Sequence, residues 1–226
     1  MREQPFGSGV SGTPPVRGAW EAHLTVACPA SGVGELAAWA ARRGLGFVHI
    51  ELARGVSRSQ PMITLTGSGA AGARMPETDR AAAGLAAAGC PVVRTKVETA
   101  PWADGVPQDD TAAGAGDPAR YFEHHVKLLL PPRHDRTALE RLATAHGAHL
   151  SWNARRVRAD GRQERFVTQR CAGVGRATAE RRLAALLDAL AAPPAAHRIT
   201  EVEREYVVHD SNLALDDGWI TEEDAP

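Results

Sequence analysis

Trp20-Glu21-Ala22-His23-Leu24-Thr25-Val26 and Phe122-Glu123-His124-His125-Val126-Lys127-Leu128 are the two stretches that decide the fold. Both run aromatic, glutamate, any residue, histidine, apolar, polar, apolar, and both alternate as half-buried strands do. Likeness at a long interval marks an internal repeat, and the flanking sequence extends it. After each stretch comes a helical segment that stops at a glycine, Glu35 to Arg43 before Gly44 and Thr137 to His146 before Gly147. Two extended runs follow on each side, Phe47 to Ala53 with Met62 to Thr66, and His149 to Val157 with Arg165 to Cys171. The second pair is joined through the turn Ala159-Asp160-Gly161. A G-x-G follows each third strand, Gly67-Ser68-Gly69 and Gly173-Val174-Gly175, and is read as the turn into the next helix. That helix, Glu77 to Ala88 or Ala177 to Ala191, leads to a last strand with a Val-Glu step, Lys96-Val97-Glu98 or Glu201-Val202-Glu203.

Strand, helix, strand, strand, helix, strand is the ferredoxin-like order. The expected fold class is therefore α+β, a tandem duplication of a ferredoxin-like βαββαβ unit, with antiparallel sheets carrying their helices on one face. The expected organisation is a disordered N-terminal tail over 1–18, a first repeat over 19–100, and a linker over 101–119 rich in Asp, Gly, Ala and Pro. A second repeat over 120–208 and a C-terminal extension over 209–226, anchored by Trp219, complete the chain.

The 226 residues are 43% hydrophobic, enough to fill a core, and the formal net charge of -1 leaves no basic surplus to track a phosphate backbone. General nucleic-acid binding is not expected. No run approaches the roughly 20 apolar residues that span a bilayer, and the opening MREQPFGSGVSGTPP lacks the apolar stretch of a signal peptide. The expectation is a cytoplasmic protein with no membrane partner, its oligomeric state left open. Cys28, Cys90 and Cys171 follow no CxxC pattern and read as small core residues. Nearly all basic residues are arginine, which singles out the only two lysines, Lys96 and Lys127.

Strand alternation assigns the faces. With Ala22, Leu24 and Val26 turned to the helices, Glu21, His23 and Thr25 fall on the free face, joined by Arg94, Lys96 and Glu98 from the last strand and by Thr64 and Thr66 from the third. The second half repeats the layout with Glu123, His125 and Lys127, with Thr168 and Arg170, and with Glu201, Glu203 and Glu205; Ser151 and Asn153 join from its second strand. If the free faces turn toward each other, a cleft between two duplicated sheets results. A histidine beside a glutamate in such a cleft is a general acid or base near neutral pH. The candidate catalytic residues are His23, His125, Glu98 and Glu203; the candidate substrate-binding residues are Lys96, Lys127, Thr64, Thr168 and Arg170. No spacing such as HExxH fixes a metal site, and no cofactor is assigned. Asp210-Ser211-Asn212 with Asp216 and Asp217 has the oxygen donors of a metal loop but not its glycine and distal glutamate, and reads as an Asx turn.

The run His23-Leu24-Thr25-Val26 resembles the His-x-Thr signature of the two-histidine phosphoesterases, which place one such motif in each half of a pseudo-symmetric cleft. His125-Val126-Lys127 carries lysine where that signature has threonine or serine. The resemblance implies a layout of two facing histidines. The readings that follow are an acid–base enzyme acting on a small anionic metabolite or phosphoester, a non-catalytic metabolite-binding or protein-interaction module, and a structural subunit of a larger complex.

Overall fold

The computed structural model describes residues 15–72, 74–155 and 158–219. The first half contains β1 (Val16–Val26), α1 (Val33–Ala41), β2 (Gly46–Leu52), β3 (Ser59–Ala71), α2 (Pro76–Ala87) and β4 (Val92–Thr99). After a short α3 (Asp110–Gly114) come β5 (Tyr121–Leu130), α4 (Arg136–Thr144), β6 (Ala148–Asn153), β7 (Gln163–Ala172), α5 (Arg176–Ala191) and β8 (Arg198–Asp210). Helix limits follow local chemistry. Gly44 and Gly147, both at positive φ, stop α1 and α4, and the Asp135 carboxylate accepts the Ala138 N–H to start α4.

The strand order is β4-β1-β3-β2 in the first half and β8-β5-β7-β6 in the second. The expectation of two sheets facing each other across a cleft is corrected here. β2 pairs with β6 and β4 with β8, so all eight strands form one closed antiparallel barrel. The physical reason is the edge problem: β2 and β4 alone would each leave a row of unpaired N–H and C=O groups, and closure removes both.

Helices lie outside the barrel, and the core lies between them and the outer wall. Ala22, Leu24 and Val26 of β1 meet Leu36, Trp39 and Leu85 in one cluster, and Val126, Leu128 and Leu130 of β5 meet Leu139, Leu183 and Leu186 in the other. The alternate residues of these strands consequently face the barrel interior.

Several boundaries differ from the sequence reading. β1 begins at Val16, inside the stretch expected to be a tail; residues 1–14 of that stretch lie outside the described residues. The 101–119 segment is fastened to the second half. Val106 is buried, and the Asp110 carboxylate takes the Gly175 N–H at 2.8 Å and the Thr178 hydroxyl at 2.9 Å at the start of α5. The first G-x-G lies within β3 rather than in a turn. A side chain at Gly67 would put its Cβ 2.2 Å from the Trp20 ring, so glycine is required there for close packing. Among the described residues no helix is long and apolar enough to cross a membrane.

Candidate functional site

The inward side chains enclose a cavity of about 400 Å³ inside the barrel. Every sequence-predicted site residue except Thr64 is part of its lining. His23 stands opposite Thr64 in the β1–β3 register, as His125 stands opposite Thr168 in β5–β7. His23 Nδ1 lies 3.1 Å from the Thr64 hydroxyl and His125 Nδ1 2.9 Å from that of Thr168. Both threonines therefore hold an imidazole ring, where a direct substrate contact was expected. The threonine that serves each histidine comes from the neighbouring strand, not from the His-x-Thr run itself.

The outer nitrogens meet carboxylates. His23 Nε2 is 2.7 Å from Glu98 and 3.3 Å from Glu21; His125 Nε2 is 3.4 Å from Glu123 and 3.3 Å from Glu205. Lys96 joins the two halves, with Nζ 3.0 Å from Glu98 and 2.5 Å from Glu123. A continuous series of charge contacts thus runs His23, Glu98, Lys96, Glu123, His125, Glu205. Arg170 adds a second cation to Glu123 at 3.0 Å.

Glu203, a candidate catalytic residue, is not the glutamate that holds His125. It lies directly across from His125 on β8, yet it makes no ion pair or hydrogen bond among the described residues, and Glu205 takes the role that Glu98 has in the first half. In the barrel Glu21 pairs with Glu98 across β1–β4, and Glu123 with Glu205 across β5–β8. The Val-Glu steps that looked equivalent are therefore offset by one inward position. Lys96, expected as a substrate-binding cation, is buried and committed to two carboxylates. Lys127 is less committed, 3.2 Å from the half-exposed Glu201.

Residues 211–219 cross one end of the barrel. Asp216, with 2% of its surface exposed, accepts from Arg94, Arg170 and Gln60 at 3.1, 2.8 and 3.2 Å. Arg94 is also bound by Asp210, and the Trp219 indole N–H donates to the Leu150 carbonyl. The Asx turn read from the sequence is present, with the Asn212 N–H on Asp210, and Trp219 is the anchor expected of it; 220–226 lie outside the described residues. At the other end Glu21 and Glu201 remain nearly half exposed.

Burial disfavours an imidazolium, but at His23 the charge and hydrogen bond of Glu98 outweigh it, and the ring is held above its ordinary 6.5. At His125 burial is likewise outweighed by Glu123 and Glu205, and the value is pushed up to about 10. Burial opposes ionisation of Glu98 and Glu123, yet Lys96 holds both below the ordinary carboxylate value, helped by His23 at Glu98 and by Arg170 at Glu123. Glu205 goes the other way, raised by burial and by the charge of Glu98. His125 is therefore protonated at neutral pH, and Glu98 shifts His23 in the same direction. Glu123, His125 and Glu205 also offer three donor atoms within 4.8 Å of one another, the described group able to hold a metal ion, which would first displace the imidazolium proton.

These shifts set a pH dependence. A raised histidine stabilises the fold fully below its unfolded value of 6.5 and loses that contribution as pH rises to about 10. The depressed Glu98 and Glu123 stabilise it above 4.5 and lose that contribution in acid, while the raised Glu205 gives back part of the gain above 4.5. Thermal unfolding at fixed ionic strength should show the highest melting temperature between pH 4.5 and 6.5 and a decline toward pH 10, with a shallower decline in His125→Gln. An alkaline limb identical in the two proteins would contradict the assignment.

No protein-family model matches the chain, and comparison with curated proteins finds none similar to it.

Proposed function

We propose that the barrel cavity is the active site of an acid–base enzyme acting on a small anionic molecule, with a phosphoester as the substrate form that fits best. The observation that supports this reading is the pair of histidines, His23 and His125, each fixed by a threonine on one nitrogen and carboxylates on the other, within a single cavity. A protonated imidazole is a general acid, and its Nε2 proton, held by the carboxylates in the resting site, is the one to be passed to a leaving oxygen. In hydrolysis of a phosphate monoester, water bonds to phosphorus as the ester P–O bond breaks. The leaving oxygen takes the imidazolium proton, and the raised carboxyl of Glu205, in its ionised form, takes a proton from the water. The products are the alcohol and phosphate. Lys127, whose near partner is the half-exposed Glu201, is the cation best able to meet phosphate oxygens; Arg170, expected to share that role, is already held by Glu123 and Asp216.

Two further readings belong with this one. The halves are taken as diverged copies of one ferredoxin-like unit, supported by the matching strand orders and by the matching His–Thr registers. A cytoplasmic setting is inferred from the three cysteines, which carry neither framework nor CxxC spacing.

The test is incubation with a panel of phosphate monoesters, with and without Mn²⁺, followed by ³¹P NMR. Release of phosphate that is lost in the His23→Gln/His125→Gln double variant is the expected result. Ligand-dependent thermal stabilisation with no turnover of any ester would replace this reading by the binding-module one.

A further inference from the structure

The lining of the cavity is divided. Every ionisable lining residue except Arg170 and Asp216 comes from β1, β4, β5 and β8, which are contiguous around the barrel. The other four strands, β3, β2, β6 and β7, contribute an almost wholly uncharged wall. On β2 the usual sense of alternation is reversed: Val48, Ile50 and Leu52 face the interior, while His49 and Glu51 pair with each other outside. Met62 of β3 and Phe166 of β7 extend the apolar surface. Val48, Ile50, Met62 and Phe166 are only half-buried, so apolar area is left facing the cavity. Lys127 marks the junction, with Nζ 5.7 Å from the centre of the Phe166 ring.

A purely ionic ligand has no use for half of this wall, and a purely apolar one would strand the other half. We propose that the cavity takes a two-part ligand, a phosphate monoester of an apolar alcohol or phenol. The phosphate lies against the ionic wall at Lys127, and the organic group lies on Ile50, Met62 and Phe166. This rests on the phosphoester reading above and narrows it, setting sugar phosphates and short inorganic phosphates apart as poor ligands. Ligand pockets of this kind draw affinity from the apolar wall and orientation from a few polar groups.

Calorimetric titration with 1-naphthyl phosphate, methyl phosphate and 1-naphthol tests it without requiring turnover. The naphthyl ester is expected to bind at least about tenfold more tightly than either of the other two, since each wall recognises one part. Met62→Gln, close in size, and Ile50→Asn should each reduce that preference while leaving methyl phosphate affinity unchanged. Equal affinity for the two esters, or a preference untouched in both variants, overturns the inference and leaves the phosphoester reading standing. Naphthol binding as tightly as its phosphate, or no binding by any of the three, overturns both.

Discussion

Lys96→Met lowers the stability of the protein by roughly 3–5 kcal/mol, the range for removing one partner of a buried ion pair. Among the described residues Lys96 is the only cation within reach of both Glu98 and Glu123, at 3.0 and 2.5 Å, and both carboxylates are about 2% exposed. Methionine keeps the length and apolar stem of lysine, so the loss comes from charge left behind and not from a void. Glu123 retains Arg170, whereas Glu98 retains only a histidine. Adding Glu98→Gln to Lys96→Met should therefore recover a large part of the loss, because a buried charge without a partner costs more than a neutral pair. Urea unfolding of the two single variants and the double variant measures this. If Lys96→Met unfolds at the same urea concentration as the parent protein, the ion series is not structural, and Lys96 returns to the role of ligand cation.

The second large effect is catalytic. His125→Gln should lower kcat by at least about a hundredfold on whichever phosphoester the protein hydrolyses, the size expected on losing a general acid. Glutamine can still donate to Thr168 or Glu205, which preserves the hydrogen-bonding shape of the site while removing the transferable proton. His23→Gln separates the two halves of the mechanism. If one histidine protonates the leaving group and the other only stabilises charge, the two variants will differ in their pH–rate profiles, with the basic limb lost in the acid's variant alone. Full activity in both variants, with the fold intact by circular dichroism, would remove the imidazoles from the mechanism.

Much of this arrangement was legible from alternation alone. A strand reading Glu21, His23 and Thr25 on one side and Ala22, Leu24 and Val26 on the other has only one way to face a helix layer, and β5 repeats the argument. Closure of the barrel was not legible. β2 meets β6 through only three residue pairs, from Ile50 with Asn153 to Leu52 with Ser151, and nothing in those short segments names the partner edge. The choice of Glu203 over Glu205 came from matching the Val-Glu steps of β4 and β8. The pairings put Glu98 across from Glu21 and Glu205 across from Glu123, with the same register shift at the matching place in both halves, so the two Val-Glu steps are a chance likeness two residues out of step. The reversed alternation of β2 was visible as Val48, Ile50 and Leu52 between His49 and Glu51. Which set pointed inward depended on closure, and so did the apolar wall.

The two seams, β2 with β6 and β4 with β8, join strands that a ribosome delivers far apart in time. When the first four strands have emerged, their order is already complete, but both borders of the sheet are bare. β2 cannot be covered until β6 follows, and β4 waits for β8, the last of the described strands. During that interval the nascent chain displays two templates for strand addition, the condition under which neighbouring polysomal copies pair with one another. His49 and Glu51 at one border and Arg94 and Lys96 at the other place charge on these strands, as gatekeepers do on an edge that must stay uncoupled. Arg94 and Lys96, which later line the site, would then serve first, with the outward His49 and Glu51, as a guard against premature association.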